Sequence, residues 1–162
     1  VSSGPPDAFG YTPIPIGRVD KRWLDIRDKI SLPEDMCPDI AGIRTVDVMV
    51  NRKIMYQADA TDEWTTPKET LERGYGDCED IALVKRAILL STGYKDPDIY
   101  LFLVKDLVAR RDHALLIVRG KEEWFVLDSF NSLSLPLRLV IDYVPLLAFS
   151  GDKAWFFGKR IK

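Results

Sequence analysis

A chain of 162 residues with 46% hydrophobic and 30% charged side chains is long enough to bury one core without disulfide or metal staples. A net charge of −2 and the lack of any Lys/Arg cluster exclude the electrostatic footprint of a nucleic-acid binder. Membrane insertion is excluded on length, because the longest apolar run, 81–90, is broken by Lys85 and Arg86 and falls short of the about eighteen residues a spanning helix needs.

Residues 1–19 carry Pro5, Pro6, Pro13 and Pro15 and are expected to be an extended lead-in, with a single domain over 20–162. They lack a basic-then-apolar leader pattern, and a chain whose signal peptide had been removed would begin in the same way. Trp23, Ile26 and Ile30 fall at helical spacing over 20–32, which Pro33 closes. Ile40, Ile43, Val46, Val50 and Ile54 mark the buried stripe of a second helix over 39–56. Thr66-Pro67-Lys68-Glu69 reads as a capping box with proline at the first helical position, starting a short helix that stops at Gly74. Cys78 opens a helix that is apolar nearly all round and ends at Gly93, so it should be the buried central one. The pattern then switches to strands at 99–104, 113–119, 122–127, 137–140 and 154–157. Helices followed by consecutive strands predict an α+β domain with an antiparallel sheet.

Two cysteines, Cys37 and Cys78, are too few for a disulfide framework and lack zinc-site spacing. A bridge between them is one alternative, and a functional thiol is the other. Cys78 stands in the first turn of its helix, where unpaired backbone N–H groups and the macrodipole favour thiolate. A small buried hydrophobe would occupy the same place without chemistry. The single histidine, His113, is the available base. If the strands over 113–119 and 122–127 form a hairpin on a Gly120-Lys121 turn, His113 directly faces Asp128, which can accept a hydrogen bond from the imidazole. Asp128 could equally be a turn former ahead of Ser129 and Asn131. Leu115, Ile117, Trp124 and Val126 share this face and are expected to pack on the Cys78 helix.

Asp77, Glu79 and Asp80 surround the thiol. Acids in a first helical turn are stabilising caps, yet each unit charge at about 6 Å and an effective dielectric of about 20 disfavours thiolate by roughly 2–3 kcal/mol. A hard divalent cation, calcium being the natural candidate, would remove that conflict. Asp59 and Asp62 could add ligands.

The run Trp64-Thr65-Thr66-Pro67-Lys68-Glu69-Thr70-Leu71-Glu72-Arg73-Gly74-Tyr75-Gly76-Asp77-Cys78-Glu79-Asp80-Ile81-Ala82, followed by Lys85, His113 and Val126-Leu127-Asp128, resembles the bacterial transglutaminase-like cysteine proteinases over roughly residues 20–160. The resemblance implies a papain/transglutaminase-like fold, a Cys78–His113–Asp128 triad, and calcium held by Asp77 and Glu79, with Asp80 added. It further implies a periplasmic protease that cuts a large surface adhesin near its N-terminus and is sequestered by an inner-membrane cyclic-di-GMP receptor. Two features depart from the family pattern: a short stretch over 59–64, and the extra thiol of Cys37. The expected function is that of a monomeric, calcium-dependent cysteine endopeptidase, with the Cys78 backbone N–H and the Trp64 indole as oxyanion donors. The same triad could perform transglutaminase- or amidase-type acyl transfer. A non-catalytic, calcium-ordered protein-binding module is the reading from outside enzymology.

Overall fold

A computed structural model describes residues 4–36, 42–58, 61 and 63–159. The chain begins with β1 (Tyr11–Ile16), α1 (Lys21–Ile26), α2 (Ile43–Lys53), β2 (Met55–Tyr56), α3 (Pro67–Arg73), β3 (Tyr75–Gly76) and α4 (Cys78–Ser91). It continues as strands β4 (Ile99–Asp106), β5 (Arg111–Arg119), β6 (Trp124–Asp128), β7 (Asn131–Pro136), β8 (Tyr143–Ser150) and β9 (Lys153–Lys159). Seven strands pair in the order β1-β9-β8-β4-β5-β6-β7, each antiparallel to its neighbours. β2 and β3 make a separate parallel bridge. The expected α+β arrangement is what the chain adopts. No helix among the described residues is long and apolar enough to cross a membrane.

The helix opened by Cys78 is the buried one, as its apolar circumference requires. Ile81, Leu83, Val84, Ile88 and Leu89 pack with Val46 and Val50 of α2 and with Ala114, Leu116 and Val118 of β5 in one cluster. The opposite sheet face buries Tyr100, Phe102, Leu115, Ile117, Val126 and Trp155, with Trp124 packed against them. This corrects the sequence reading, which put Leu115, Ile117, Trp124 and Val126 against the helix. Alternation along β5 gives the helix the even-numbered set instead.

Other differences have local causes. The first helix ends at Ile26, because Trp23 and Ile26 are buried whereas Ile30 is exposed and holds no further turn. The second helix ends at Lys53, and Met55 and Tyr56 leave it to pair with Tyr75 and Gly76. Its expected start, 39–41, and Cys37 lie outside the described residues. Thr66 caps α3 through Glu69 N–H at 3.3 Å, and Gly74 closes that helix at φ 81°, in the left-handed region that glycine tolerates. The strand expected at 137–140 is a 3-10 turn over Leu137–Leu139, and the neighbouring strand is Asn131–Pro136. Strands without a counterpart in the sequence reading are β1, which pairs with β9 from within the proline-bearing lead-in, β8, and the short β2 and β3.

Ile88 is fully buried between α2 and the sheet. Ile88→Ala should therefore lower unfolding free energy by about 2–5 kcal/mol in a urea titration.

Candidate active site

Cys78 is the first residue of α4, and the helix start is fixed by a reciprocal cap: Asp77 accepts from Asp80 N–H at 3.1 Å, and Asp80 accepts from Asp77 N–H at 3.3 Å. Gly76 makes that cap possible, since a Cβ there would lie 2.8 Å from Asp80 Cβ and 3.1 Å from Thr70 Cγ2. The Cys78 side chain is buried, its Sγ donates to Glu79 Oε2 at 3.4 Å, and the Ala114 backbone N–H is directed at the sulfur. Burial first, and then the charge of Glu79, push the thiol pKa well above its ordinary value. The helix terminus alone does not make this sulfur a thiolate.

His113, the residue before Ala114, is buried on β5 with Nε2 2.8 Å from Asp128 Oδ1. With Asp128 as acceptor, Nε2 carries the proton. Nδ1 is buried and has no hydrogen-bond partner among the described residues. The imidazole stacks on Phe130 at 4.6 Å and on Tyr143 at 5.8 Å. Asp128 also accepts from Phe130 N–H at 3.0 Å and from the Tyr143 hydroxyl. Burial acts to raise the Asp128 pKa, but the bonds from His113, Tyr143 and Phe130 outweigh it, and the carboxyl is held below its usual value.

The hairpin that brings this pair together differs from the expected one. Arg119 pairs with Trp124, and Gly120 N–H closes a four-residue loop on Glu123 O at 2.8 Å. Gly120 packs instead against the Phe125 ring, where an added Cβ would lie 2.5 Å from Cε2, and it stays on the strand side of the turn. Continued past Leu116↔Leu127, the observed register sets Asp128 opposite Leu115, and His113 lies two residues farther along on the same face. The slip is even, so the pair meets on the diagonal.

The three acids divide. Asp80 is fully buried and already committed: Oδ1 accepts from Thr65 N–H at 2.9 Å, and Oδ2 from Arg73 at 3.0 Å and from Asp77 N–H. That is a structural cap, and it argues against the expected metal role for Asp80. Asp77 and Glu79 instead crowd each other. Burial, followed by the hydrogen bond and charge of Glu79, raises the Asp77 pKa to about 6. Two close carboxylates with that penalty suit a divalent cation, so Asp77 and Glu79 fit as part of a calcium site. Among the described residues no three His, Cys, Asp or Glu side chains group tightly enough to hold a metal alone, and Asp59 and Asp62 lie outside those residues.

Trp64 packs edge-on against Phe149 at 6.2 Å, with the Arg22 guanidinium 4.6 Å above its ring. Its Nε1 is buried without a hydrogen-bond partner among the described residues. Tyr56 borders the site, opposite Gly76 in the parallel bridge and 5.0 Å from the Phe130 ring. Tyr56, Phe130 and Tyr143 are neighbours of the site that the sequence reading did not single out. Tyr143 was hidden because Pro145 interrupts β8 at a register shift against β4, which weakens the strand signal.

A thiol opening a buried helix, packed on an antiparallel sheet that carries an imidazole–carboxylate pair, is the architecture of the papain/transglutaminase-like domains. The chain belongs to the bacterial transglutaminase-like cysteine proteinases (BTLCP), whose family model matches residues 26–138. Structures of Legionella pneumophila LapG match at 26% identity with a TM-score of 0.65 over 70% of this chain. They include an EGTA-treated and a calcium-bound form. This chain spans 66% of the length of that LapG structure. A protein from Cytophaga hutchinsonii assigned as a cysteine protease shares the fold at 14% identity and a TM-score of 0.52, over 85% of this chain and 57% of its own. No curated protein matches the chain by sequence.

Gly76→Ala should cost about 1–3 kcal/mol by forcing apart the Asp80 cap and Thr70. The measurement is the urea midpoint, and an unchanged midpoint would mean that the α4 start tolerates the methyl group.

Proposed function

We propose that the protein is a calcium-dependent cysteine endopeptidase in which Cys78 is the nucleophile, His113 the base and Asp128 its orienter. The observation that carries this reading is the His113 Nε2–Asp128 Oδ1 contact of 2.8 Å, which leaves Nδ1 without a partner among the described residues, next to the residue whose N–H faces the Cys78 sulfur. In this mechanism Nδ1 takes the thiol proton, and the thiolate adds to a peptide carbonyl to form a C–S bond. The oxyanion is met by the Cys78 backbone N–H, which belongs to the first turn of α4, where N–H groups have no partner within the helix. The imidazolium then returns its proton to the leaving amine as the C–N bond breaks. Water activated by the imidazole cleaves the thioester, and a carboxylic acid is released. Asp77 and Glu79 would hold calcium, which when bound supplies positive charge that offsets the two carboxylates facing the sulfur.

The family resemblance carried by the Trp64–Ala82 run extends the proposal to a periplasmic site of action, a large surface adhesin as substrate and an inner-membrane cyclic-di-GMP receptor as partner. Acyl transfer by the same triad differs only in the acceptor. Product mass separates the two, because hydrolysis yields fragments and transfer to an added amine joins it to the chain.

Cys78→Ala should abolish cleavage of the adhesin N-terminal region while leaving the circular dichroism spectrum unchanged. Retained cleavage would end the assignment. In a Cys37→Ser background, alkylation of Cys78 by iodoacetamide at pH 7 should be roughly tenfold or more faster with calcium than with EGTA, as removal of one facing charge predicts. Equal rates would remove calcium from the proposal.

A further inference from the structure

Asp128 is held by its backbone as well as by its carboxylate. Lys85 on α4 is fully buried, and its Nζ donates to the Asp128 carbonyl at 3.1 Å and to Asp47 Oδ1 at 2.7 Å. Asp47 on α2 is fully buried too, and its Oδ2 accepts from Ser134 Oγ of β7 at 2.7 Å. One turn along α2, Asn51 Nδ2 donates to the same Asp128 carbonyl at 2.9 Å, to the Asn131 carbonyl at 3.0 Å and to Ser132 Oγ at 3.1 Å. Two helices thus converge on a single backbone oxygen.

Stability alone does not account for this arrangement. A desolvated ammonium–carboxylate pair is commonly no better for stability than apolar side chains of the same volume. Ser134, which completes the network, sits at φ 48° inside a strand, a left-handed conformation that a non-glycine residue adopts only at an energetic cost. Both costs fall on groups surrounding the residue that accepts from His113. The position of Lys85 adds a geometric reason. It follows Cys78 by two helical turns, so both side chains stand on the same face of one rigid element. The helix that fixes the sulfur also fixes the Asp128 backbone.

We propose that Lys85, Asp47 and Asn51 form a positioning clamp that registers Asp128, and through it the His113 imidazole, against the Cys78 sulfur on the same helix. The inference rests on the triad assigned above. A pin that only stabilises the α2–α4–β6 junction is the competing account.

The single histidine makes the clamp directly readable, since every imidazole resonance belongs to His113. In the Cys37→Ser background, the parent is compared with a Lys85→Met/Asp47→Leu double variant and with Asn51→Ala, by ¹H–¹⁵N spectra of the imidazole and by iodoacetamide alkylation at pH 7. The double variant removes both charges together, so no lone charge is left buried. Asn51→Ala leaves the ion pair intact, and it decides the matter if the double variant fails to fold. The clamp predicts that folded variants shift or lose the hydrogen-bonded Nε2–H signal. It also predicts slower alkylation, by roughly 10- to 100-fold in the double variant, as expected for misplacement of a reacting group by about 1 Å. Folded variants with a parental imidazole spectrum and alkylation rate, altered only in melting temperature, overturn it. His113→Ala separates the two possible failures. If it alkylates as fast as the parent, the triad assignment falls; if it alkylates more slowly while the clamp variants match the parent, the clamp alone falls.

Discussion

Side chains on a strand change face at every residue, and the meeting of His113 with Asp128 depends on that parity. The loop between β5 and β6 is two residues longer than a tight hairpin, yet an even slip leaves both groups on one face and only moves their contact onto the diagonal. A slip of one residue would send Asp128 into the helix-facing cluster with Leu127 and leave the imidazole without its acceptor. Much of the site then follows from the direction of this pair. Phe130 and Tyr143 can stack on the imidazole, Tyr143 can reach the second carboxylate oxygen, and Nδ1 is the nitrogen left without a partner among the described residues.

Legibility in the sequence tracked how local each signal was. The start of α4, its acidic cap and its all-round apolar surface are written in consecutive residues, and they appear in the fold as read. The His113–Asp128 pairing was reached with the right partners and an incorrect turn, because parity is robust to even errors in loop length. The face on which the helix packs was misread. The two faces of β5 are both apolar, Ala114, Leu116 and Val118 against Leu115 and Ile117, so alternation marked no side as the buried one. Lys85 and Asp47 were out of reach as a pair, since nothing local links residues on separate helices whose charges meet only after packing.

Charge is distributed around the thiol in an orderly way. Asp80 is matched by Arg73 and by two backbone donors, Thr65 N–H and Asp77 N–H, although burial still raises its pKa to about 6. Asp77 and Glu79 have no comparable cation within the cap, and their repulsion appears in the raised Asp77 pKa and the raised thiol pKa. Three acids that look equivalent in the sequence therefore differ physically: Asp80 and Asp77 cap the helix start, and Asp77 and Glu79 carry the charge that acts on the thiol.

The lead-in contributes more than an approach to the domain. β1 forms the outermost strand of the sheet beside β9, with Pro13 opposite Phe157 and Pro15 opposite Trp155. Proline carries no N–H, and two prolines spaced two residues apart turn their nitrogens toward the same side of a strand, which in a paired edge strand is the outward one. The outer margin of the sheet is left short of donors at two successive positions. It is thereby a poor template for a strand from another molecule, a passive guard against sheet-to-sheet aggregation where the edge residue Ile14 and its partner Phe156 on β9 are exposed and apolar.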